Sequence, residues 1–157
     1  MNIRRAREGD TKAVLKLLSQ VLEVHAKIRP NIFQSGTTKY SAEELALMFE
    51  NDDLPVYLAL DDEGRLLGYA FCQIRRPAAA PPVMIPRTIL YIDDICVDAY
   101  ARRQHVGLIL FDHVKREARR LHCDTITLNV WEGNEPALRF YKSMGMNVQK
   151  TGMETIL

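Results

Sequence analysis

The sequence predicts a mixed α/β (α+β) fold built as a single domain over residues 1–157. Two patterns predict this class: apolar residues recur at helical spacing in some segments, and shorter β-rich runs separate those segments. The chain has 157 residues, of which 47% are hydrophobic and 26% charged, as in an ordinary globular domain. This composition excludes a wholly disordered chain and favours helices packed in layers on a sheet.

The N-terminal part predicts one strand and two helices. We expect a short strand over residues 3–6 and then a helix capped by Asp10. The helix is indicated by apolar residues at helical spacing: Val14, Leu17, Leu18, Val21 and Leu22. Ser41 and Glu44 form a capping-box pattern, which predicts the start of a second helix.

A hairpin and a further long strand follow. Strands are predicted over Val56–Leu60 and residues 66–74, because both are rich in apolar residues and flank the acidic turn at residues 61–64. Residues 77–86 hold four of the seven prolines and predict an irregular loop. The run Ile89–Val97 predicts the next strand.

The C-terminal part continues the alternation of helix and strand. A helix is predicted over residues 106–121 and a strand over residues 125–131. Asn134 and Pro136 are typical of a helix start, and we expect a final strand over residues 147–157. Together these elements predict about four helices around one sheet.

Charge and cysteine content exclude several classes of protein. Lys and Arg number 21 against 20 Asp and Glu, so the net charge of +1 gives no reason to expect a nucleic-acid partner. The three cysteines are widely spaced and lack ligand-spaced histidines, so we expect neither a disulfide scaffold nor a metal site. No apolar run approaches the roughly 18 residues of a membrane helix. We therefore expect a cytoplasmic protein without a membrane partner.

The segment that carries chemistry begins in the strand ending at Val97. That strand contains the adjacent acids Asp93 and Asp94, and the basic turn Arg102-Arg-Gln-His-Val-Gly107 follows at a helix start. Free N–H groups and the positive end of the helix dipole at such a start attract anions. The turn therefore predicts a pyrophosphate site; the alternative is a solvated basic turn before an ordinary helix.

The turn resembles motif A of the GCN5-related N-acetyltransferases, which is Arg/Gln-x-x-Gly-x-Gly/Ala, with His105 in place of the first glycine and Gly107 as the second. Downstream, Asn134-Glu-Pro-Ala-Leu-Arg-Phe-Tyr141 and the later Gly145 resemble the family's motif B. The resemblance covers almost the whole chain in element order. It implies a central mixed, mostly antiparallel sheet that is splayed between the fourth and fifth strands.

The same resemblance implies an activity and its site. Acetyl would pass from acetyl-CoA directly to a primary amine of a small molecule or peptide, in a ternary complex and without a metal; a homodimer is compatible with the family. The residues implied for acetyl-CoA are Ile95, Cys96, Val97, Arg102, Arg103, Gln104, His105, Val106, Gly107, Leu108 and Asn134. A backbone N–H around residues 95–97 would stabilise the oxyanion.

Three side chains are candidates for acid–base catalysis. An alkyl amine is protonated at pH 7, so a carboxylate must accept its proton, and Asp93 and Asp94 are both candidates. Strand alternation is expected to send them to opposite faces, so that one acts and the other is structural. Tyr141 occupies the position of the family's general acid; the alternative is a helix tyrosine packed with Phe140.

Two other functions stay open. His105 in place of a motif glycine keeps a catalytically degenerate acyl-CoA-binding regulatory module as the main alternative. A nucleotide-binding domain is weaker, because the chain has neither a GxGxxG pattern nor a Walker lysine. A nucleophilic role for Cys96 is weaker than burial, because the residue lies within an apolar strand.

Overall fold

A computed structural model describes residues 1–77 and 82–157, so part of the predicted proline-rich loop lies outside the described residues. In chain order the elements are β1 (Asn2–Arg5), α1 (Thr11–Ile28), α2 (Ala42–Phe49), β2 (Val56–Leu60), β3 (Leu66–Arg75), β4 (Ile89–Val97), α3 (Val106–Arg120), β5 (Thr125–Leu128) and α4 (Glu135–Ser143). Short 3₁₀ turns occupy Glu8–Asp10 and Ala99–Ala101. Among the described residues, no helix is both long and apolar enough to cross a bilayer.

The five strands form one mixed sheet in the order β1-β2-β3-β4-β5. The first four pair antiparallel, and β4 and β5 pair parallel. The parallel ladder ends at Ile92 and Leu128, so residues 93–97 of β4 have no strand partner on the β5 side within the described chain. This confirms the predicted fold class, including the opening between the fourth and fifth strands.

Helices cover both faces of the sheet. One face packs against α1 and α2; its buried residues include Val14, Leu18, Leu45, Phe49, Val56, Leu58, Tyr69 and Phe71. The other face packs against α3 and, at its margin, α4; its buried residues include Tyr57, Ala59, Ala70, Leu90, Ile92, Leu110, Phe111 and Val114. Burial on both faces explains why the central strands read as continuous apolar runs.

The two predicted helix starts have different outcomes. The Ser41 hydroxyl accepts from the Glu44 N–H, and the Glu44 carboxylate accepts from the Ser41 N–H, which confirms the capping box. Asp10 stands at the N-cap position of α1, as predicted, but its carboxylate makes no cap hydrogen bond to the helix. Asp10 instead accepts from Arg4 at 2.7 and 2.9 Å and from the Arg7 N–H at 2.9 Å.

The C-terminal strands are shorter than predicted. β5 ends at Leu128 rather than at residue 131, and the strand predicted over residues 147–157 is wrong, because those residues form neither helix nor strand. The apolar side chains of this segment, such as Val148, Met153 and Ile156, are exposed. Without burial on a sheet face, little offsets the entropy cost of ordering a strand there.

A close approach between β3 and β4 depends on Gly68. A Cβ at this position would lie 2.6 Å from the Cys96 carbonyl oxygen and 3.1 Å from Leu110 Cδ1. Glycine therefore lets β3 and α3 approach the part of β4 that follows the two aspartates.

Candidate active site

A β-bulge in β4 sets the direction of the two aspartates. Phe71 of β3 lies opposite Asp94, whereas the next residue, Cys72, lies opposite Ile92. Asp93 is therefore an extra residue in β4. Such an insertion interrupts the two-residue alternation of side chains and redirects the residues beside it.

The bulge brings both carboxylates to the α1–α2 side of the sheet. Asp93 accepts a hydrogen bond from Tyr40 at 2.6 Å, and Asp94 accepts one from Tyr69 at 2.7 Å. Both tyrosine rings pack on Phe71, with centroid distances of 5.5 and 4.9 Å. The expectation that the two acids lie on opposite faces is thus wrong, because alternation holds only in a regular strand.

Asp93 is the outer member of the pair. Its Oδ2 accepts from Tyr40 Oη and from Lys39 Nζ, each at 2.6 Å. Lys39 and Tyr40 are the last residues of the loop before the N-cap of α2, so this loop contacts the aspartates on the α1–α2 side of the sheet. Burial, followed by the hydrogen bond to Asp93, raises the pKa of Tyr40 well above its ordinary range, so the phenol is a hydrogen-bond donor at neutral pH.

Asp94 is the inner member of the pair. Burial raises the pKa of Asp94, although the Tyr69 hydrogen bond, the positive charge of Lys39 and that of His25 when it is protonated oppose the rise. The negative charge of Asp93 adds to it. A carboxylate with a raised pKa is a better proton acceptor than an ordinary surface aspartate.

Aromatic side chains connect the end of α1 to the loop after β5, and the charge of Asp94 acts on His25 in this cluster. His25 near the end of α1 packs on Phe33 at 5.1 Å, and Phe33 meets Trp131 edge-on at 5.2 Å. Burial lowers the pKa of His25, which favours the neutral ring. Arg29 lies over Trp131 at 5.9 Å. The end of α1 and the loop after β5 thus contact each other beside the carboxylates.

Sequence reasoning missed this part of the site. His25, Tyr40 and Tyr69 carry no local signal of function in the sequence. The one available hint is in β3, where Tyr69 and Phe71 are two residues apart and therefore share a face.

The three β4 residues predicted to contact acetyl-CoA follow the bulge. Ile95 and Val97 pack towards α3, whereas Cys96 is buried on the opposite face. Burial raises the pKa of Cys96 to about 12, so its thiol is protonated at neutral pH, in keeping with a packing role. Among the residues that the structure describes, the edge of β4 that faces β5 has no ladder partner over these positions, as the predicted oxyanion donor requires.

The basic turn before α3 has the form of an anion site. Residues 102–105 are exposed, and no backbone N–H from residue 102 to 108 donates a hydrogen bond to the described backbone. Arg103 and His105 have φ angles of 61° and 60°, a left-handed conformation that favours glycine. The motif's preference for glycine at the His105 position is thereby explained. The Gln104 side chain donates one hydrogen bond to the Tyr100 carbonyl at 3.0 Å.

The first turn of α3 contains the other predicted contacts. Val106 is buried, and Leu108 is exposed. A Cβ at Gly107 would lie 3.4 Å from the Phe140 ring and 3.6 Å from Val97, which are ordinary van der Waals contacts, so α3, α4 and β4 meet at this position.

Helix α4 carries the remaining candidates. Asn134 is its N-cap and accepts from the Ala137 N–H at 3.3 Å, as predicted. Tyr141 packs on Phe140 at 5.2 Å and on Phe111 at 6.2 Å. Burial and then the negative charge of Asp94 raise the pKa of Tyr141 well above its ordinary value, which links the two groups electrostatically.

A cavity of about 560 Å³ adjoins α4. Its lining comes from the end of β5, the loop that follows, α4 and residues 146–152, and it includes Trp131, Asn134 and Tyr141. Asn134 and Tyr141, two of the predicted site residues, therefore line one cavity.

Comparison with known proteins agrees with this architecture. The sequence model of the acetyltransferase (GNAT) family matches residues 18–146. A mutant form of the BH1408 protein from Bacillus halodurans is similar in structure, with a TM-score of 0.95, 30% identity, and 100% of this chain and 99% of that chain covered.

Two more distant structures share the fold alone. The aminoglycoside N-acetyltransferase AAC(6')-Iy in complex with CoA has a TM-score of 0.71 at 16% identity, with coverage of 99% and 98% of the two chains. An aminoglycoside acetyltransferase from an uncultured soil metagenomic sample, in complex with trehalose, has a TM-score of 0.75 at 18% identity, with coverage of 99% and 95%. Through the match over residues 18–146, the chain belongs to the acetyltransferase (GNAT) family.

Proposed function

We propose that the protein transfers acetyl from acetyl-CoA directly to a primary amine, in a ternary complex. The observation that carries this proposal is the pair Asp93 and Asp94, which the bulge turns to one face beside the unpaired edge of β4. Family membership supports acetyl transfer in general. Two structural neighbours are aminoglycoside acetyltransferases, which favours a small-molecule amine as the acceptor.

The residues of the basic turn fit the pyrophosphate of acetyl-CoA. Arg102 and Arg103 would supply positive charge, and the free N–H groups at the start of α3 would donate to phosphate oxygens. The left-handed φ of His105 turns the backbone as the motif glycine would. Asn134 would contact the pantetheine arm, as the family resemblance implies.

The two aspartates divide the work of activating the amine. Asp93, the outer carboxylate, would bind the ammonium group of the acceptor. Asp94, whose pKa is raised, would accept the proton directly or through a water. Deprotonating an amine about three pH units below its pKa costs roughly 4 kcal/mol, which is the part of the barrier that this pair reduces.

The leaving sulfur and the oxyanion need donors. Tyr141 stays protonated at neutral pH because its pKa is raised, so it would donate to the departing thiolate. When Asp94 accepts the amine proton, its negative charge disappears and the pKa of Tyr141 falls, which makes the phenol a stronger acid at the step that needs one. Backbone N–H groups on the free edge of β4 around residues 95–97 would stabilise the oxyanion.

The substitution Tyr141→Phe tests this scheme, since it keeps the packed ring and removes only the donor. With acetyl-CoA and a panel of small primary amines, we expect turnover to fall about 10²-fold, the lower end of general-acid effects. The Kd for CoA and the Tm should barely change, because one hydroxyl contributes about 1 kcal/mol.

Two results would contradict the scheme. Unchanged turnover of the variant on an accepted amine would exclude Tyr141 as the acid. Tight CoA binding by the wild type without acetylation of any amine would instead favour the acyl-CoA-binding regulatory module.

A further inference from the structure

We propose that Lys39 is a self-acetylation site: when no acceptor is present, its ε-amino group takes the acceptor position beside Asp93 and receives the acetyl group. The inference rests on the proposed function, because it uses the same carboxylates and the same acetyl donor.

The first support is the position of the amine. Lys39 Nζ lies 2.6 Å from Asp93 Oδ2, the contact that the ammonium group of an acceptor would make. The Lys39 side chain is 41% exposed, so the amine is open to the solvent side of the site. A lysine ε-amine also belongs to the chemical class of the proposed acceptors.

The second support is that neighbouring contacts hold Lys39 in this place. Tyr40 stacks on Phe71 at 5.5 Å and donates to the same Asp93 oxygen. Earlier in the loop, Glu23 of α1 accepts from the Ser35 hydroxyl at 2.7 and 2.8 Å and from the Gly36 N–H at 2.8 Å. The loop is thus tied to α1 and to the sheet, and Lys39 reaches the site without rearrangement of the backbone.

The third support is the local chemistry. The ammonium group would lose a proton to solvent through the aspartate pair, and the free amine would attack the thioester carbonyl carbon. A C–N bond forms and the C–S bond breaks. The nitrogen then loses its second proton to solvent. The sulfur takes a proton from Tyr141, and solvent returns a proton to the tyrosine. The products are acetyl-lysine, the free thiol of CoA and one proton.

A matched control lysine is available on α3. Lys115 pairs with Asp112 at 4.0 Å and is 36% exposed, close to the exposure of Lys39. Asp112, the partner of Lys115, lies in helix α3, whereas Asp93, the partner of Lys39, is the bulged residue of β4. Lys115 therefore reports the uncatalysed reaction of an exposed, paired lysine with acetyl-CoA.

The experiment follows acetylation of individual lysines by peptide mass spectrometry after the full chain is mixed with acetyl-CoA alone. We expect Lys39 to react at least about tenfold faster than Lys115, with a rate constant that does not depend on protein concentration. Asp93→Asn and Tyr141→Phe should each slow Lys39 by about tenfold or more and leave Lys115 unchanged. Lys39→Arg should remove the fast phase. Added acceptor amine should also slow the reaction of Lys39.

The outcomes separate this inference from the proposed function. Acetylation of panel amines while Lys39 reacts no faster than Lys115 would overturn self-acetylation alone. Failure of both the panel and Lys39, with CoA still bound, would overturn the proposed function as well. A Lys39 rate constant that rises with protein concentration would overturn the intramolecular placement.

Discussion

Replacing Asp94 by asparagine should make the protein more stable and less active at neutral pH. Burial raises the pKa of Asp94, so ionising this carboxylate is harder in the folded chain than in the unfolded chain. Asparagine has nearly the same shape, carries no charge, and its Oδ1 can still accept the hydrogen bond that Tyr69 now donates at 2.7 Å.

The sign of the pH dependence follows from proton binding. Between the unfolded and folded pKa values of Asp94, the native state binds more protons, so the free energy of unfolding falls as pH rises. This loss of stability is complete above the pKa that Asp94 has in the folded chain. It is absent below the pKa of about 3.9 that Asp94 has in the unfolded chain. Each pH unit between the two pKa values costs about 1.4 kcal/mol, and 1 kcal/mol changes Tm by about 2–4 °C in a chain of this size.

The assay measures Tm as a function of pH for the wild type and for Asp94→Asn. The turnover of both proteins on an accepted amine is measured as well. We expect Asp94→Asn to have the higher Tm at pH 7 and the two curves to converge as pH falls towards about 4. Turnover should fall by about 10²-fold.

Asp93→Asn is the matched control, because it makes the same change one residue away. It loses a partly exposed ion pair with Lys39 worth about 0–1 kcal/mol, so its Tm at pH 7 should be equal or lower. A lower Tm for Asp94→Asn at pH 7, or a difference that does not change with pH, would refute the reasoning about burial.

Three further substitutions and one control substitution test the loop and the sheet. Arg102→Glu should weaken CoA binding by at least about tenfold, or 1.4 kcal/mol, in a direct titration; unchanged affinity would remove the pyrophosphate assignment. His105→Gly should keep the Kd for CoA within a few-fold and Tm nearly constant, because relief of the left-handed φ, about 1 kcal/mol, is offset by the entropy of glycine. A tenfold loss of affinity would instead show that the imidazole binds the ligand. Gly68→Ala should cost about 1–3 kcal/mol or more in denaturant unfolding, since its Cβ would lie 2.6 Å from the Cys96 oxygen. Gly152→Ala, with open space around it, should change nothing measurable.

Local signals in the sequence were sufficient for most of the secondary structure. The bounds of β4 (Ile89–Val97) and the caps at Ser41 and Asn134 agree with the structure, because each depends on residues within a few positions of one another. The turn from Arg102 to Gly107 was recognisable for the same reason. The cap hydrogen bond expected at Asp10 is absent, because the side chain of Arg4 in β1 binds the Asp10 carboxylate instead.

Only the tertiary structure decided how the site is assembled. Asp93 and Asp94 are adjacent in sequence, yet their common face comes from the register of β3 on β4, which inserts the bulge. Tyr40 and Tyr69 join them from a loop and another strand, and no short-range pattern encodes such pairings. The sequence alone determined which side chains could bind an anion or exchange a proton. Packing between distant segments determined which of them meet and how far burial displaces their pKa values.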